Sequence, residues 1–289
     1  MTVLEGIQKS AEFLAKKDVD SPRLQAELLL AHVLKLPRMK LYLNFERALT
    51  DPETNAFRDL VKRRSQREPL QHIIGSTSFC GFEIAVNRHV LVPRPETEVL
   101  AELGWQFLNQ LAKDHPPRVF ELGTGSGCIA IALAAKCPSA KIIAADISKP
   151  ALDVAIENAE RNKVTGQIEF AHGPDFGALT FPPPAPPVDL IISNPPYIPK
   201  ADIATLQPEV RDYDPREALD GGEDGLDFYR KFAIEAGRFL NPDGKIMLEF
   251  GDGQGDAIRN IFQGQKWIVE AIREDYTQRQ RILIAGISH

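Results

Sequence analysis

Apolar residues recur every three to four positions through the first part of the chain, which is typical of amphipathic helices. One such run follows the pair Ser21-Pro22 and contains Leu24, Leu28, Ala31 and Leu34. The serine would cap this helix and the proline would occupy its first turn. A later helix is expected to begin after Thr50, because Thr50 and Glu53 have the spacing of a capping box. Residues up to about 68 are therefore predicted to be helical.

The hydrophobic pattern then changes its period. Residues 71–92 contain short β-rich runs separated by turn residues, which predicts a hairpin. From residue 118 onward, apolar runs of strand length alternate with helical segments, which predicts a mostly parallel sheet with helices on both faces. Residues 266–272 and 281–287 are expected to close the sheet as an antiparallel pair. The proline-rich residues 181–187 are expected to form a surface loop.

These patterns predict an α/β protein in three parts. A helical domain covers residues 1–72, a β-hairpin linker covers 73–92, and an α/β domain covers 93–289. Within the last part, the polar connection over residues 198–225 is longer than most loops in compact domains. Because loops of that length often carry function, we expect it to form one wall of a ligand cleft.

Composition limits the classes of function. The 289 residues, of which 43% are hydrophobic, can form a large core in about two domains. The net charge of -6 argues against a stable nucleic-acid complex, which normally needs a strongly basic surface. The basic cluster of the helical domain comprises Lys62, Arg63, Arg64 and Arg67. We interpret it as a solvated helix face, with contact to a partner or to RNA as the alternative.

Cysteine and histidine indicate neither a disulfide framework nor a metal site. The cysteines Cys80, Cys128 and Cys137 form no CxxC pair, and the six histidines are scattered. A reducing cytoplasm fits this usage. The first residues lack the apolar core of a signal peptide, and no apolar run approaches the ~20 residues needed to span a bilayer. We therefore expect a cytoplasmic protein without membrane association.

The tetrapeptide Asn194-Pro195-Pro196-Tyr197 follows residues 188–193, an apolar run that predicts a buried strand. Two prolines cannot continue a hydrogen-bonded ladder, so the strand must end there in a stiff turn. The turn would present the polar Asn194 and the aromatic Tyr197 at the carboxyl end of a core strand. Open α/β sheets bind their ligands at that end.

These four residues suit methyl transfer to a planar, conjugated NH2 group, whose delocalised lone pair makes the nitrogen a poor nucleophile. The side-chain carbonyl of Asn194 can accept one N–H, and a backbone carbonyl of Pro195-Pro196 can accept the other. Tyr197 can stack on the planar group. Such contacts would orient the nitrogen for in-line attack. The alternative interpretation is a strand-ending turn without a catalytic role.

A glycine-rich loop, Gly123-Thr124-Gly125-Ser126-Gly127, connects a predicted strand over residues 118–122 to a helical run beginning at Cys128. Glycines at such a place allow a tight turn and the close approach of a ligand. Cys128 stands where the dinucleotide-binding fingerprint has its third glycine. Glu121, two residues before the loop, would repel a pyrophosphate but suits a cationic ligand such as a sulfonium amino acid.

Asp146 ends the next predicted strand, 19 residues after Gly127. An acid at that place can accept both hydroxyls of a ribose, as in nucleoside-binding α/β folds. The alternative is that Asp146 caps the following helix, although Ser148 could supply that cap instead. We favour ribose binding.

Several segments together resemble those of the bacterial release factor glutamine methyltransferases, a family of class I S-adenosylmethionine-dependent enzymes. The similar segments are Arg67-Glu68-Pro69, Gly75 with Phe79, Val92-Pro93-Arg94-Pro95-Glu96-Thr97-Glu98, residues 121–127, Ser193-Asn194-Pro195-Pro196-Tyr197-Ile198, residues 217–226 and Glu249-Phe250-Gly251. They extend over nearly the whole chain. The most specific are Pro-Arg-Pro-Glu-Thr-Glu and, within residues 217–226, Ala-Leu-Asp-Gly-Gly.

The resemblance implies a Rossmann-like class I methyltransferase fold. It implies methyl transfer from S-adenosylmethionine to N5 of the glutamine in the Gly-Gly-Gln motif of class 1 peptide chain release factors, with residues 1–72 recognising that substrate. The implied catalytic residues are Asn194, Pro195, Pro196 and Tyr197. The implied cofactor-binding residues are Glu121, Gly123, Thr124, Gly125, Ser126, Gly127, Asp146, Asp175 and Asn194.

One segment departs from the family pattern. After the third strand of the sheet, the family usually has an acidic residue and then an aromatic residue or leucine near the cofactor adenine. Here Pro174 takes the acidic place and Asp175 takes the following one. A shift by one residue would let Asp175 reach the adenine amino group.

Three other functions compete with this interpretation. The acceptor could be a glutamine of a ribosomal protein. The Asn-Pro-Pro-Tyr chemistry also serves adenine-N6 DNA methyltransferases, but these need base flipping and a nucleic-acid surface. The acidic charge and the lack of a spare target-recognition segment argue against DNA. A non-catalytic sensor of S-adenosylmethionine is the third, and the intact Asn194–Tyr197 turn argues against it.

Overall fold

The computed structural model describes residues 1–179 and 186–287, so most of the loop expected at 181–187 lies outside the described residues. The chain forms two compact units. The first comprises Met1–Ser76 with Leu206–Tyr213, and the second comprises Thr77–Thr205 with Asp214–His289. No sequence pattern predicts that the 206–213 segment belongs to the first unit. Within the described part of the chain, every helix is too short or too polar to cross a bilayer.

The first unit is helical, as the spacing of its apolar residues predicts. Its helices are α1 (Val3–Ala15), α2 (Pro22–Leu34), α3 (Arg38–Leu41), α4 (Asp51–Ser65) and α5 (Leu70–Ile74). Their buried side chains form a core of their own, which includes Ile7, Leu30 and Phe57. The capping box of α4 is confirmed. Thr50 Oγ1 accepts the N–H of Glu53 at 3.4 Å, and Glu53 Oε2 accepts the N–H of Thr50 at 2.9 Å.

Two local predictions in this unit are wrong. Ser21 precedes α2, but its backbone is left-handed, with φ at 47°, and its side chain makes no capping hydrogen bond. The fixed φ of Pro22 therefore begins the helix without a side-chain cap. Residues 71–74 were expected to open the hairpin but form most of α5, which ends at Gly75 with φ at 89°. A left-handed glycine is a common helix end, so the strand pattern starts only at Ser76.

A separate two-stranded sheet of β1 (Ser76–Phe79) and β2 (Phe82–Ala85) carries the predicted hairpin. The elements that follow are α6 (Pro95–Leu111), β3 (Arg118–Leu122), α7 (Cys128–Lys136), β4 (Lys141–Asp146), α8 (Lys149–Arg161), β5 (Ile168–His172), β6 (Val188–Ser193), α9 (Pro208–Arg211), α10 (Asp227–Glu235), β7 (Leu240–Glu249), α11 (Gly255–Gly264), β8 (Trp267–Glu274) and β9 (Gln280–Ile287). Of these, α9 lies in the segment that belongs to the first unit.

The main sheet has seven strands in the order β5-β4-β3-β6-β7-β9-β8. The five adjacent strands β5, β4, β3, β6 and β7 are parallel, and β9 is antiparallel to both of its neighbours, β7 and β8. This confirms the predicted α/β sheet and its antiparallel closing pair. The chain moves outward from β3 to β5 on one side and resumes at β6 on the other. Because ligands bind at such a reversal of strand order, the carboxyl ends of β3, β4 and β6 are the place to look for a site.

Burial explains why these strands could be predicted from the sequence. All six residues of β6 are buried, and four of the five residues of β3 are buried. Parallel strands covered on both faces appear as continuous apolar runs rather than alternating ones. Apolar clusters cover the sheet, with Ile131 and Ile192 in one cluster and Phe120 and Ile191 in another.

Three residues of the basic cluster, Arg63, Arg64 and Arg67, are paired within the first unit, which corrects the interpretation of a solvated face for the buried Arg64. Arg63 makes a bidentate pair with Glu68, with N···O distances of 2.8 and 2.5 Å. Arg64 and Arg67 both donate to Glu209 of α9, at 2.6 to 2.7 Å. Arg64 is only 3% exposed. The positive charge of this helix end is therefore compensated by acids of its own unit.

Candidate active site

A cavity of about 470 Å³ lies where β3, β4 and β6 end. It is large enough for a ligand of cofactor size. Of the residues predicted for the site, it is lined by Glu121, Gly123, Thr124, Gly125, Ser126, Asp146, Asn194, Pro195 and Pro196. The fold therefore brings the glycine loop, the acid after β4 and the turn after β6 together in one place. Gly127, Asp175 and Tyr197 are not part of that lining.

The glycine loop uses its glycines for two different purposes. Gly125 and Gly127 both have left-handed φ angles, of 54° and 78°. A Cβ at Gly127 would lie 3.1 Å from the Cβ of Ala155, so this glycine allows the loop to pack closely on α8. A Cβ at Gly125 would meet nothing within 4 Å. The side of Gly125 is open space that a ligand can use.

Glu121, the penultimate residue of β3, has a buried carboxyl group whose hydrogen-bonding capacity is only partly used. Its Oε2 accepts hydrogen bonds from the Thr124 hydroxyl at 2.8 Å and from the Ala130 N–H at 3.1 Å. Its Oε1 is buried and has no partner among the described residues. Burial raises the pKa of Glu121 to about 8. A positively charged group beside Oε1 would supply the missing partner and favour the ionised form.

Asp146 holds the loop instead of capping the next helix. Its Oδ2 accepts the N–H of Gly125 at 2.8 Å, and its Oδ1 accepts the N–H of Ser148 at 2.8 Å. The cap of α8 is supplied by Ser148, whose hydroxyl accepts the N–H of Ala151 at 3.4 Å. Burial raises the pKa of Asp146. Each carboxylate oxygen has a further lone pair, so the group can still accept ligand hydroxyls.

The amide of Asn194 has a defined orientation at the edge of the cavity. Its Nδ2 donates to the hydroxyl of Thr97 at 3.1 Å, and Thr97 is only 2% exposed. The preceding residue, Ser193, donates its hydroxyl to the carbonyl of Leu122 at 2.6 Å and so ties the end of β6 to β3. With its amino group bound to Thr97, Asn194 keeps its carbonyl oxygen as an acceptor.

Tyr197 is the one residue of the Asn194–Tyr197 turn that does not line the cavity. Its backbone carbonyl accepts from Gln254 Nε2 at 2.9 Å. Its hydroxyl lies beside the buried carboxyl of Glu249 and lowers the pKa of that group. Burial raises the pKa of Tyr197 well above its usual range. The stacking of Tyr197 on a substrate amide thus stays a prediction.

Asp175 is exposed and is engaged in a local turn. Its Oδ1 accepts the N–H of Gly177 at 2.7 Å, which starts a short 3-10 helix. Gly173 and Pro174 line the cavity instead. The predicted contact of Asp175 with an adenine therefore has no geometric support in this arrangement.

The connection over residues 198–225 forms part of the cavity wall, as predicted, through Pro215, Glu217 and Ala218. It is fixed to the turn by backbone hydrogen bonds. The N–H of Ile198 donates to Leu219 at 3.0 Å, and the N–H of Gly221 donates to Ile198 at 2.9 Å. The Ala-Leu-Asp-Gly-Gly segment therefore supports the backbone that follows Asn194–Tyr197.

Two polar groups near the site, Arg94 and Asn158, were not predicted to have a role there. Arg94 lines the cavity and donates to Asp214 at 2.8 Å, and burial raises the pKa of Asp214 to about 6. Asn158 is fully buried and donates to the carbonyls of Ser126 and Ala85, both at 2.9 Å. A signal existed for Asn158, because it falls on the apolar stripe of the helix. No local pattern could pair Arg94 with an acid 120 residues away.

Solved structures support the fold alone. A methyltransferase from Pyrococcus furiosus is similar with a TM-score of 0.55 and 21% identity, over 79% of this chain and 99% of that one. The human methyltransferase 10 domain containing protein is similar with a TM-score of 0.51 and 16% identity, over 72% of this chain and 90% of that one. With the parallel sheet described above, they confirm the predicted class I methyltransferase fold.

Sequence comparisons give the family. The model of the PrmC N-terminal domain matches residues 5–75, and that of the methyltransferase small domain matches residues 104–207. The release factor glutamine methyltransferase of Geobacter sulfurreducens is 43% identical, over 90% of this chain and 88% of its own length. That of Chlorobaculum tepidum is 41% identical, over 97% and 95%. The chain therefore belongs to the release factor glutamine methyltransferase family.

Proposed function

We propose that this protein transfers a methyl group from S-adenosylmethionine to N5 of the glutamine in the Gly-Gly-Gln motif of class 1 peptide chain release factors. The observation that carries the proposal is the Asn194 amide. Its nitrogen is bound to Thr97 at the edge of the cavity, and its carbonyl oxygen is left as an acceptor for a flat NH2 group. Relatives aligned over 90% and 97% of the chain bear the name of this activity.

The residues around the cavity fit S-adenosylmethionine. The unpartnered Glu121 Oε1 suits the positive charge of its sulfonium amino-acid part, and Gly125 leaves room for the ligand. Asp146 suits the ribose hydroxyls. When bound, this cofactor would supply a methyl group activated by the sulfonium charge. We assign no adenine contact to Asp175.

The turn after β6 would orient the acceptor. Asn194 accepts one N–H of the glutamine amide, and a backbone carbonyl of Pro195 or Pro196 accepts the other. The rigid prolines hold both acceptors in place before the substrate arrives, which is the main source of rate enhancement for a weakly nucleophilic nitrogen. The amide proton can leave to water after the methyl group has moved, so this chemistry requires no strong base.

Selectivity for a release factor would come from surfaces outside this turn, because the turn reads only a flat NH2 group. We assign recognition of the protein substrate to residues 1–72, since all predicted cofactor residues lie beyond them. A glutamine flanked by glycines suits a narrow site, because its backbone can approach closely. Remote contacts would then position the amide, so a folded release factor should react far better than a short Gly-Gly-Gln peptide.

A competition assay tests the choice of acceptor. A class 1 release factor, ribosomal proteins and duplex DNA are incubated together with the enzyme and S-adenosylmethionine labelled in the methyl group. The proposal predicts label in the release factor, and far less in an equimolar short peptide. Label in DNA with an unmodified release factor would overturn the proposal. Label only in a ribosomal protein would contradict the named substrate while retaining glutamine chemistry.

A further inference from the structure

We propose that Thr97 and Glu249 are positioning residues that hold the Asn194 amide with its carbonyl oxygen toward the acceptor. This inference rests on the proposed function, because it concerns the same methyl transfer. Thr97 belongs to the Pro-Arg-Pro-Glu-Thr-Glu segment and Glu249 to the Glu-Phe-Gly segment. Neither residue is needed to explain cofactor binding.

Chain topology brings the three side chains together from distant parts of the sequence. Pro95 begins α6 and places Thr97 in its first turn, 97 residues before Asn194. Ser193 of β6 pairs in register with Leu248 of β7. Asn194 follows the last residue of β6 and Glu249 is the last residue of β7, so the two lie side by side at the carboxyl ends of these parallel strands.

The side chains of Thr97 and Glu249 are buried, so their polar atoms must find hydrogen-bond partners within the protein. Thr97 and Glu249 are each 2% exposed. Burial raises the pKa of Glu249 to about 7, although hydrogen bonding from Thr97, the charge of Arg281 and hydrogen bonding from Tyr197 all oppose that shift. Glu249 Oε2 has no partner among the described residues. A carboxyl group with spare acceptor capacity thus lies beside a hydroxyl that needs an acceptor.

The direction of the hydrogen bonds from Asn194 through Thr97 to Glu249 follows from how many protons each group can donate. A threonine hydroxyl has one proton to donate and lone pairs with which it accepts. The ionised carboxylate of Glu249 can only accept, so it takes the hydroxyl proton of Thr97. Only lone pairs of Thr97 then face Asn194, and the amide must present its NH2 group to Thr97. A flipped amide would place two acceptors in contact at Thr97 and two NH2 groups in contact at the substrate. Thr97 and Glu249 therefore select the catalytic orientation of Asn194.

The activity test compares variants in single-turnover methyl transfer. Thr97→Val keeps the shape and removes the hydroxyl, whereas Thr97→Ser retains it. We expect Thr97→Val to lower the rate about 10- to 100-fold with cofactor affinity unchanged, because the amide is still present but no longer fixed. Thr97→Ser should stay within about threefold of the wild type. Glu249→Gln, whose amide can donate to Thr97, should resemble Thr97→Val.

A double variant separates positioning from general stability. In the Asn194→Ala background, Thr97→Val should cause little further loss, because the group that it orients is already absent. Independent, multiplying losses would overturn the inference, as would wild-type rates in Thr97→Val.

A spectroscopic readout needs no acceptor and so remains valid if the proposed substrate is wrong. The side-chain NH2 signals of Asn194 are assigned by their loss in Asn194→Ala. One of the two protons should exchange slowly with solvent in the wild type and in Thr97→Ser, and quickly in Thr97→Val. Equal exchange in all three proteins would refute the inference. Failure of the proposed function alone would instead show as no methylation of the release factor, with this exchange pattern intact.

Discussion

Glu121 is the residue whose charge state most directly links the site to its ligand. Its folded-state pKa, about 8, exceeds the ordinary value of 4.5 because burial disfavours the charged form. In the empty protein, its contribution to stability is therefore fully present below pH 4.5 and is lost as the pH rises through about 8. A cationic ligand beside Oε1 reverses the preference and lowers this pKa.

Binding of S-adenosylmethionine should consequently release a proton from Glu121 at neutral pH. The apparent affinity should increase with pH up to about 8 and then level off. Calorimetry in buffers of different ionisation enthalpy measures the proton release directly. Glu121→Gln should bind more weakly and release no proton from this position. Proton release that is the same in the wild type and in Glu121→Gln would contradict the assignment.

Asp146 is expected to bind ribose as well as the loop. Asp146→Ala removes the acceptor for the N–H of Gly125 and the predicted contacts to two hydroxyls, so cofactor affinity should fall by about 1–3 kcal/mol. Asp175→Ala is the matched control, because Asp175 is exposed and outside the cavity lining. Equal affinities of Asp146→Ala and the wild type would remove the ribose assignment. A large loss in Asp175→Ala would restore the predicted adenine contact.

At the level of elements, the connection after β6 works as a support for the turn. Gly225 has φ at 77°, and a Cβ there would lie 2.3 Å from the carbonyl oxygen of Tyr197. A Cβ at Gly221 would lie 2.8 Å from the Cα atoms of Tyr197 and Gly225. The glycines of this segment are therefore required by close backbone packing.

Gly225→Ala should lower both the stability and the rate of methyl transfer, because the strain of about 1–3 kcal/mol falls on the backbone of Tyr197, in the turn that begins at Asn194. Cofactor affinity should change less than the rate. Gly166→Ala is a suitable control, since a Cβ there would meet no atom within 4 Å. Thermal unfolding and single-turnover assays on both variants check this. Wild-type behaviour of Gly225→Ala would mean that the connection does not support the turn.

Elements were predictable where burial and local chemistry agree. The continuous apolar runs of β3 and β6 and the reciprocal cap of Thr50 and Glu53 are visible in a short window. The predicted cap at Ser21 is wrong because the backbone of this residue is left-handed and its side chain makes no capping hydrogen bond. In residues 71–74, β-branched residues adopt one helical turn because Gly75 and Pro69 define its ends.

At the level of the whole molecule, no local sequence pattern indicates that the 206–213 segment belongs to the first unit. Glu209 compensates two arginines of the first unit, one of them buried. Burial alone would raise the pKa of Glu209, but the hydrogen bonds from Arg67 and Arg64 outweigh it and lower the pKa. The stabilisation from Glu209 is thus present above its ordinary value of 4.5 and is lost as the pH falls below it.

Glu209→Ala should destabilise the first unit by about 3 kcal/mol, because it leaves the buried Arg64 without its anionic partner. Glu223→Ala, in the same connection but exposed, is the control and should unfold like the wild type. Chemical denaturation of the full chain measures both. An unchanged unfolding midpoint in Glu209→Ala would show that the pair contributes nothing to stability.

The parts of the candidate site that could be predicted are those whose residues lie close together in the sequence. The glycine loop, Asp146 and the Asn194 turn each follow a strand, and parallel strands bring such ends together. The pairs Asn194–Thr97 and Arg94–Asp214 join residues about a hundred positions apart, so no window of sequence contains both partners. The stacking role of Tyr197 was inferred from the chemistry of the turn and the adenine contact of Asp175 from the family resemblance, and neither residue lines the cavity.

The most direct test of the central claim is mass spectrometry of a class 1 release factor after incubation with the enzyme and S-adenosylmethionine. We predict a mass increase of one methyl substitution on the peptide containing Gly-Gly-Gln, with fragment ions that place it on the glutamine side chain. Asn194→Ala should fold, bind the cofactor within a few-fold and leave this peptide nearly unmodified, with a loss in rate of about 10²–10³. An unmodified glutamine after incubation with the wild-type protein, or full modification by Asn194→Ala, would contradict the proposed methyl transfer.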